Sequence, residues 1–211
     1  MYIYCAASAA ALGGAEAAAH TALFAIAMTC FTFGDVGSST SQAFLPAFIT
    51  KQKKNDGSEE EIFALDEARP TIKAILRTAA TVSMGVCVLA ASMISFGASS
   101  ITSDLEVVRM MKKTMPLILF TLTAHGTAVT LEGLLLAQRK FKALNVIYTA
   151  VASTIIGLFA CVRRLKIGLI GVWGVYVWFQ ISRVGLFTFA SGLLRENKLL
   201  CDQSTRDSNS V

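Results

Sequence analysis

Five long apolar stretches, separated by short polar segments, dominate the sequence. They cover residues 14–49, 74–98, 114–138, 143–162 and 167–194. A run of about 20 apolar residues is long enough to cross the hydrocarbon core of a bilayer as a helix. The stretches are continuous and do not alternate with polar residues over about ten positions, which favours helices over the strands of a membrane β-barrel. The pattern predicts an all-α, polytopic membrane helix bundle with five full spans.

The first 49 residues predict a short helical segment followed by a helix that is too long for a simple span. Residues 1–13 are apolar but too short to span, and a Gly-Gly pair separates them from the next stretch. We interpret them as the truncated remnant of a first transmembrane helix. The stretch 14–49 exceeds a simple span, so we expect either a long tilted helix or a break near Gly34 and Gly37.

The polar connection at 51–73 is the most highly charged part of the chain between two spans. We expect a loop here with one short surface helix around 58–68. A proline is tolerated best in the first turn of a helix, so Pro70 is expected to open the helix that becomes the stretch 74–98.

The later connections are shorter. In the segment 99–113, Ser103 and Glu106 have the spacing of a capping box, which predicts a short amphipathic helix at the membrane surface. The four residues RKFK at 139–142 form a tight link and predict that the spans on either side are antiparallel. Residues 195–211 are polar, and we expect a disordered tail there.

Composition supports a membrane protein and argues against a soluble one. The chain is 54% hydrophobic and only 16% charged, against about 25% charged in an ordinary soluble domain. Of its 19 basic and 14 acidic residues, the five stretches contain only Glu16, Asp35, Arg77, Glu132 and Arg183. The net charge of +5 has no accompanying pattern of aromatic and basic residues, so no nucleic-acid partner is expected. The predicted partner is the lipid bilayer.

The distribution of basic residues predicts the orientation of the bundle. On the side of the 51–73 loop lie eleven: Lys51, Lys53, Lys54, Arg69, Lys73, Arg139, Lys140, Lys142, Arg195, Lys198 and Arg206. On the opposite side lie six: Arg109, Lys112, Lys113, Arg163, Arg164 and Lys166. By the positive-inside rule the 51–73 side is cytoplasmic, or stromal in a plastid.

Two carboxylates inside the spans are candidate functional groups. Glu132 lies six residues before its stretch ends, and an acidic residue at that depth usually faces a cavity and can carry a proton or hold Na⁺. The alternative is an interfacial residue that reaches toward Arg139 and the headgroups. Asp35 lies among small and hydroxyl residues that allow close helix approach. It either faces a central cavity or marks a helix kink satisfied by neighbouring serines.

Other polar residues inside the spans are candidates for lining or bracing a cavity. Arg183 lies in mid-span, where it needs a carboxylate partner such as Asp35 or Glu132, unless its long stem reaches water. His125 and Gln42 are assigned to the same cavity. For both of them, as for Gln180, a helix–helix hydrogen bond is the commoner role.

Motifs typical of enzymes are missing. The sequence has no phosphate-binding Gly-rich loop, no Ser/His/Asp arrangement and no zinc-protease motif. The five cysteines are single and widely spaced, without metal-ligand spacing. We therefore expect neither an enzyme nor a bound cofactor.

Three segments in register resemble the multidrug and toxic compound extrusion (MATE) family, most of all its plant and algal branch, which includes plastid-envelope members. They are LGGAEAAAHTALFAIAMTCFTFGDVGSSTSQAFLPAF at 12–48, LEGLLLAQRKFKALNV at 131–146 and GLIGVWGVYVWFQISRVGLFTF at 168–189. The first resembles the family's Leu-Gly turn and Ala-Ala-His helix start. The second resembles an acidic-Gly helix end before a basic-aromatic turn, and the third a Gly-x-x-Gly-x-Trp final helix with an arginine near its middle.

The resemblance implies a transporter of two six-helix lobes around a central cavity. This chain resembles only the C-terminal lobe, at 14–194, so a missing N-terminal lobe or a second chain is expected as partner. The resemblance implies export of organic cations or anions in exchange for H⁺ or Na⁺, with Glu132 at the ion-coupling position. It also implies a multi-pass protein of the plastid envelope, or of the plasma or vacuolar membrane.

Two other interpretations remain open at the level of the sequence. The chain is a half-length membrane protein that does not transport, or it is a lipid-modifying enzyme, which the missing catalytic motifs argue against. The substrate does not follow from the sequence, because the shape of the cavity would depend on both lobes.

Overall fold

The computed structural model describes residues 2–11, 13–53 and 59–194. Its α-helices are α1 Tyr2–Ala10, α2 Gly14–Gly34, α3 Val36–Phe44, α4 Leu65–Phe96, α5 Ala98–Ile101, α6 Leu105–Ala137, α7 Phe141–Leu165 and α8 Leu169–Ser191. A 3₁₀ turn (Leu45–Phe48) and two strands, β1 Ile49–Lys53 and β2 Glu59–Phe63, complete the described elements. The predicted disordered tail at 195–211 lies outside the described residues.

The predicted all-α membrane bundle with five full spans is confirmed. Five helical segments are long and apolar enough to cross a membrane: Gly14–Phe48, Leu65–Phe96, Leu105–Ala137, Phe141–Leu165 and Leu169–Ser191. The break expected in the first of them is also present, because α2 ends at Gly34 and α3 begins at Val36. Asp35 is therefore the residue at the junction of two helices.

The connection between the first two spans differs from the prediction. Instead of a loop with a helix around 58–68, β1 and β2 form an antiparallel hairpin. Lys51 is the register partner of Glu61, and oppositely charged residues facing each other stabilise strand pairing. Pro70 does not open the following helix, which begins at Leu65 with Asp66 and Glu67 in its first turn, where negative charge is favourable.

The predicted surface helix at 99–113 is wrong in its bounds and in its cap. Apart from the single turn α5, this segment is the first part of the 33-residue helix α6. Asp104, and not Ser103, is the N-cap: its Oδ1 accepts hydrogen bonds from the backbone N–H groups of Glu106 at 2.8 Å and Val107 at 3.4 Å. The helix continues through Pro116 because a single buried stripe runs along it: Val107, Met111, Thr114 and Ile118.

Helix α6 is the centre of the bundle, and glycines let its neighbours approach closely. A methyl group placed on Gly126 of α6 would lie 2.1 Å from the hydroxyl oxygen of Ser83 on α4. On Gly133, also of α6, it would lie 2.6 Å from the backbone oxygen of Ser38 on α3. Only glycine allows helix backbones this close. The polar residues of the α2–α3 junction are thereby held against α6.

The tight link predicted between the third and fourth spans is confirmed. Residues 138–140 connect α6 to α7, with Arg139 in the left-handed region at a φ of 56°. Its guanidinium pairs with Glu61 of the hairpin. Lys140 Nζ donates to the carbonyl of Ala190 at 2.9 Å, and Gln138 Nε2 to that of Ser191 at 3.2 Å. These bonds satisfy carbonyls at the end of α8 and fix α8 beside α6.

Candidate functional site

A polar cavity lies inside the bundle, between α2, α6, α7 and α8. Its volume is about 260 Å³, and it is lined by Phe31, Asp35, His125, Val129, Glu132, Tyr148, Tyr176, Phe179, Gln180 and Arg183. Four of the five residues that the sequence assigned to a cavity therefore meet here, from three different helical segments. Buried polar groups of this kind need partners from neighbouring helices.

A chain of hydrogen bonds connects the carboxylates of Asp35 and Glu132, and the donor and acceptor in each bond can be assigned. Arg183 only donates, so its Nη1, 3.3 Å from Gln180 Oε1, fixes the orientation of that amide. The amide nitrogen of Gln180 then donates to His125 Nδ1 at 3.1 Å. His125 must carry its proton on Nε2, which lies 3.3 Å from Asp35 Oδ1 and donates to it. The neutral imidazole therefore links Asp35 to Arg183.

The strongest contact in the cavity is the ion pair of Glu132 and Arg183. Arg183 Nη2 lies 2.5 Å from Glu132 Oε2 and 3.2 Å from the hydroxyl of Tyr148. The side chain of Arg183 is only 6% exposed and that of Glu132 24%. The predicted pairing of Arg183 with an intramembrane carboxylate is confirmed, and the partner is Glu132. The alternative in which Glu132 reaches toward Arg139 does not hold, because Arg139 pairs with Glu61.

Aromatic rings surround the guanidinium of Arg183. Its central carbon lies 5.0 Å from the ring centre of Phe179, 5.5 Å from that of Phe187 and 5.7 Å from that of Tyr148. Such cation–π contacts stabilise a desolvated cation. Arg183 Nε has no hydrogen-bond partner among the described residues. Among the described residues, Arg183 is thus a buried cation with a single carboxylate partner and with no hydrogen bond from its Nε.

The Asp35 end of this hydrogen-bond chain is exposed. The side chain of Asp35 is 62% exposed, whereas that of His125 is 10% exposed. The ring of Phe31 lies against the imidazole, with 4.3 Å between the ring centres. Gly34 leaves the room that the imidazole occupies, since a methyl group there would lie 2.6 Å from His125 Cδ2. Asp35 therefore offers a carboxylate at the surface of the lobe, connected to the buried ion pair.

The structure does not bring Gln42 to this cavity. Its amide nitrogen donates to the hydroxyl of Ser38 at 3.1 Å, within α3. Gln42 lines a separate cavity of about 270 Å³ below the hairpin, beside Pro46 and Arg139. Gln42 lies about two helical turns beyond Asp35, near the end of α3, and is therefore at a different level of the bundle from Glu132.

Sequence reasoning assigned no role in the cavity to Gln180 or Tyr148. A signal for the first was present, because Tyr176, Gln180 and Arg183 have the spacing i, i+4 and i+7 and must share one face of a helix. No comparable signal exists for Tyr148. It lies on α7, and its hydroxyl reaches Arg183 only because α7 packs against α8.

Comparison with known proteins gives one informative relative. No family model and no solved structure matches the chain. The chain is 29% identical over 187 residues to Protein DETOXIFICATION 47, chloroplastic, of Arabidopsis thaliana. The match covers 88% of this chain but 32% of that protein, so the chain spans about a third of the length of the curated relative it matches. With its five apolar spans it is an integral, multi-pass membrane protein. This relative supports the resemblance seen in the sequence, and the chain is a partial homologue of a DETOXIFICATION protein over most of its own length.

Proposed function

We propose that this chain is one lobe of a proton-coupled antiporter that exports small organic solutes, with Glu132 as the residue that binds the coupling proton. The observation that carries the proposal is the ion pair of Glu132 and Arg183 at 2.5 Å inside the polar cavity. Ionisable residues at this depth in a membrane protein commonly mark an ion or proton pathway.

A proton on Glu132 would remove the only carboxylate partner that Arg183 has among the described residues. Leaving one member of a buried ion pair uncompensated costs about 3–5 kcal/mol. Free energy of this size is enough to move a two-state equilibrium from one conformation to the other. The helices that carry the pair, α6 and α8, would therefore rearrange so that Arg183 finds another anion or water. This is the coupling step of the proposed exchange.

The arrangement favours H⁺ over Na⁺ as the coupling ion. A hard metal cation binds to several oxygen ligands. At Glu132 the carboxylate oxygen is already in contact with a guanidinium, and the neighbouring hydroxyl of Tyr148 is bound to the same group. Na⁺ would have to displace a positive charge fixed in an aromatic cage, whereas a proton only neutralises the carboxylate.

The solute would bind in the same cavity, and its charge is left to experiment. The exposed carboxylate of Asp35 would attract an organic cation, and Arg183, once released from Glu132, would attract an organic anion. The cavity of this lobe is small, at about 260 Å³, so a larger solute needs the wall of a second lobe. We propose that an N-terminal lobe or a second chain supplies that wall. The relative's name supports the plastid envelope over the plasma or vacuolar membrane.

The test is gradient-driven exchange in proteoliposomes, with the chain alone and with the remainder of the transporter supplied as a separate chain. A cationic probe (ethidium) and an anionic probe (radiolabelled benzoate) are each measured with and without an imposed pH gradient. Glu132→Gln keeps the size of the side chain and removes the proton site. Glu106→Gln is the matched control, because Glu106 is an exposed acid in the first turn of the same helix.

We expect the pH gradient to drive one probe in the wild type and in Glu106→Gln, but not in Glu132→Gln. Gradient-driven exchange that persists in Glu132→Gln would remove Glu132 from the coupling step. No exchange of either probe in any arrangement would favour the alternative of a half-length membrane protein that does not transport.

A further inference from the structure

A second cavity lies at the end of the bundle where α7 ends and α2 and α8 begin, away from the polar cavity. Its volume is about 690 Å³, and it is lined by Ala11, Glu16, Ala160, Arg163, Arg164, Lys166 and Gly168. This volume is within the range of small-molecule sites, about 300–1,000 Å³. The cavity is independent of the transport proposal.

Three cations line this cavity, and one tight turn fixes them there. Arg163 and Arg164 are in the last turn of α7, and Lys166 follows in the left-handed conformation at a φ of 48°. Lys166 N–H donates to the carbonyl of Arg163 at 3.4 Å, and Ile167 N–H to that of Val162 at 3.3 Å, the bonds of a Schellman turn. No ion pair joins the three cations to a carboxylate of the described residues.

The opposite wall of the cavity also favours an anion. Helix α2 begins at Gly14 and α8 at Leu169, and the N-terminal end of a helix carries partial positive charge. The one carboxylate present is that of Glu16. Its oxygens would lie 3.1 Å and 3.5 Å from methyl groups placed on Gly13 and Gly168. Glu16 thus lies between the two helix starts and leaves an excess of two positive charges in the cavity.

The surface beside the cavity is apolar. Leu165 is 70% exposed and Ile167 49%, and both alternate with the cations along the chain. In a membrane protein, basic side chains next to exposed aliphatic ones at the end of a span are placed to bind a phosphate group and the acyl chains below it.

We propose that this cavity, formed by Arg163, Arg164, Lys166 and the starts of α2 and α8, binds a phosphate-bearing anion. The exposed aliphatic side chains beside it favour an anionic phospholipid of the surrounding leaflet as the source of that phosphate. The guanidinium groups would bind the phosphate oxygens in pairs, and the first N–H groups of α2 and α8 would add donors from the other side.

The test compares two triple variants of the same chain. Arg163→Gln, Arg164→Gln and Lys166→Gln together remove the cations of the cavity. The matched control removes Arg109, Lys112 and Lys113 in the same way. These three are exposed basic residues on α6, at the same end of the bundle because the spans alternate in direction. Both variants lose three positive charges, and helix content by circular dichroism checks that each is folded.

Binding is measured by native mass spectrometry in neutral detergent micelles, which have no surface potential. The probes are phosphatidylglycerol, phosphatidylcholine, glycerol phosphate and inorganic phosphate. A hydrogen bond between a basic side chain and a phosphate oxygen contributes about tenfold in binding, so losing the three cations is expected to weaken binding by at least about 100-fold at low salt. We expect this loss for phosphatidylglycerol in the cavity variant and a change below about tenfold in the control. Glu16→Gln is expected to strengthen binding several-fold, because it removes the competing carboxylate.

Each outcome decides the proposal. Tight binding of phosphatidylglycerol that depends on the cavity supports a lipid source, and equally tight, cavity-dependent binding of glycerol phosphate or inorganic phosphate supports a soluble one. Equal losses in the two triple variants would show that surface charge alone attracts the anion. That result, or equal binding of phosphatidylglycerol and phosphatidylcholine by the wild type, would overturn the proposal.

Discussion

Replacing either Glu132 or Arg183 alone by a neutral residue should destabilise the bundle, and replacing both together should restore much of the lost stability. Arg183 is 6% exposed, so its charge has almost no access to water when Glu132 is removed. Because Glu132 is 24% exposed and Gln still accepts a hydrogen bond, we expect Glu132→Gln to cost about 2–3 kcal/mol, somewhat less than the loss for a fully buried pair. Arg183→Met leaves Glu132 unpaired beside the hydroxyl of Tyr148 and should cost a similar amount.

In the double variant neither charge remains, and Met fills the space among Phe179, Phe187 and Tyr148. We expect a loss of about 1–2 kcal/mol for the double variant, since neutral replacement of a buried pair is often tolerated. The coupling energy between the two positions is then at least about 2 kcal/mol.

The assay is equilibrium unfolding in detergent micelles with increasing SDS, followed by helix content. Asp66→Asn is the control, because Asp66 makes a surface pair with Arg69 and is 72% exposed. Its effect should stay within about 1 kcal/mol. Losses from the two single variants that simply add in the double variant would refute the argument, because additivity means that the two charges do not interact in the folded protein.

Two further predictions concern local geometry. Gly34→Ala should disturb the cavity, because the added methyl group would lie 2.6 Å from His125 Cδ2. We expect it to lower the free energy of unfolding in SDS by about 1–3 kcal/mol. The control is Gly85→Ala, which has no atom within 4 Å of its methyl group and should change stability by less than about 1 kcal/mol. A similar loss in both variants would contradict the close packing at the imidazole. Asp104→Ala should cost about 1 kcal/mol as the loss of an N-cap, and Ser103→Ala should cost almost nothing. A larger effect at Ser103 would reverse the assignment of the cap.

The spans could be predicted from the sequence because lipid imposes a simple requirement. A backbone that cannot bond to solvent must be helical, and continuous apolar runs reveal where this happens. The break at Asp35 was also predictable, since Gly34 and Gly37 lie beside it in a run too long for one span. The pairing of Arg183 with an acid followed from the cost of burying a lone charge.

What could not be predicted depends on how helices are rotated and on which strands pair. The choice of Glu132 over Asp35 as the partner of Arg183 is set by the packing of α8 on α6. Gln42 lies in a different cavity because it is about two helical turns further along than Asp35. The strand pair needs two charged segments to pair with each other, and each segment alone is typical of a loop.

The most direct test of the central claim is infrared difference spectroscopy of the chain in lipid, recorded between neutral and acidic pH. We expect acidification to produce a protonated-carboxyl band together with a change in the guanidinium bands. We expect Glu132→Gln to remove the guanidinium change and the part of the carboxyl band that accompanies it, and Asp35→Asn to leave both in place. A guanidinium change that survives in Glu132→Gln, or guanidinium bands that do not change when the wild type is acidified, would contradict the assignment of Glu132 as the proton site.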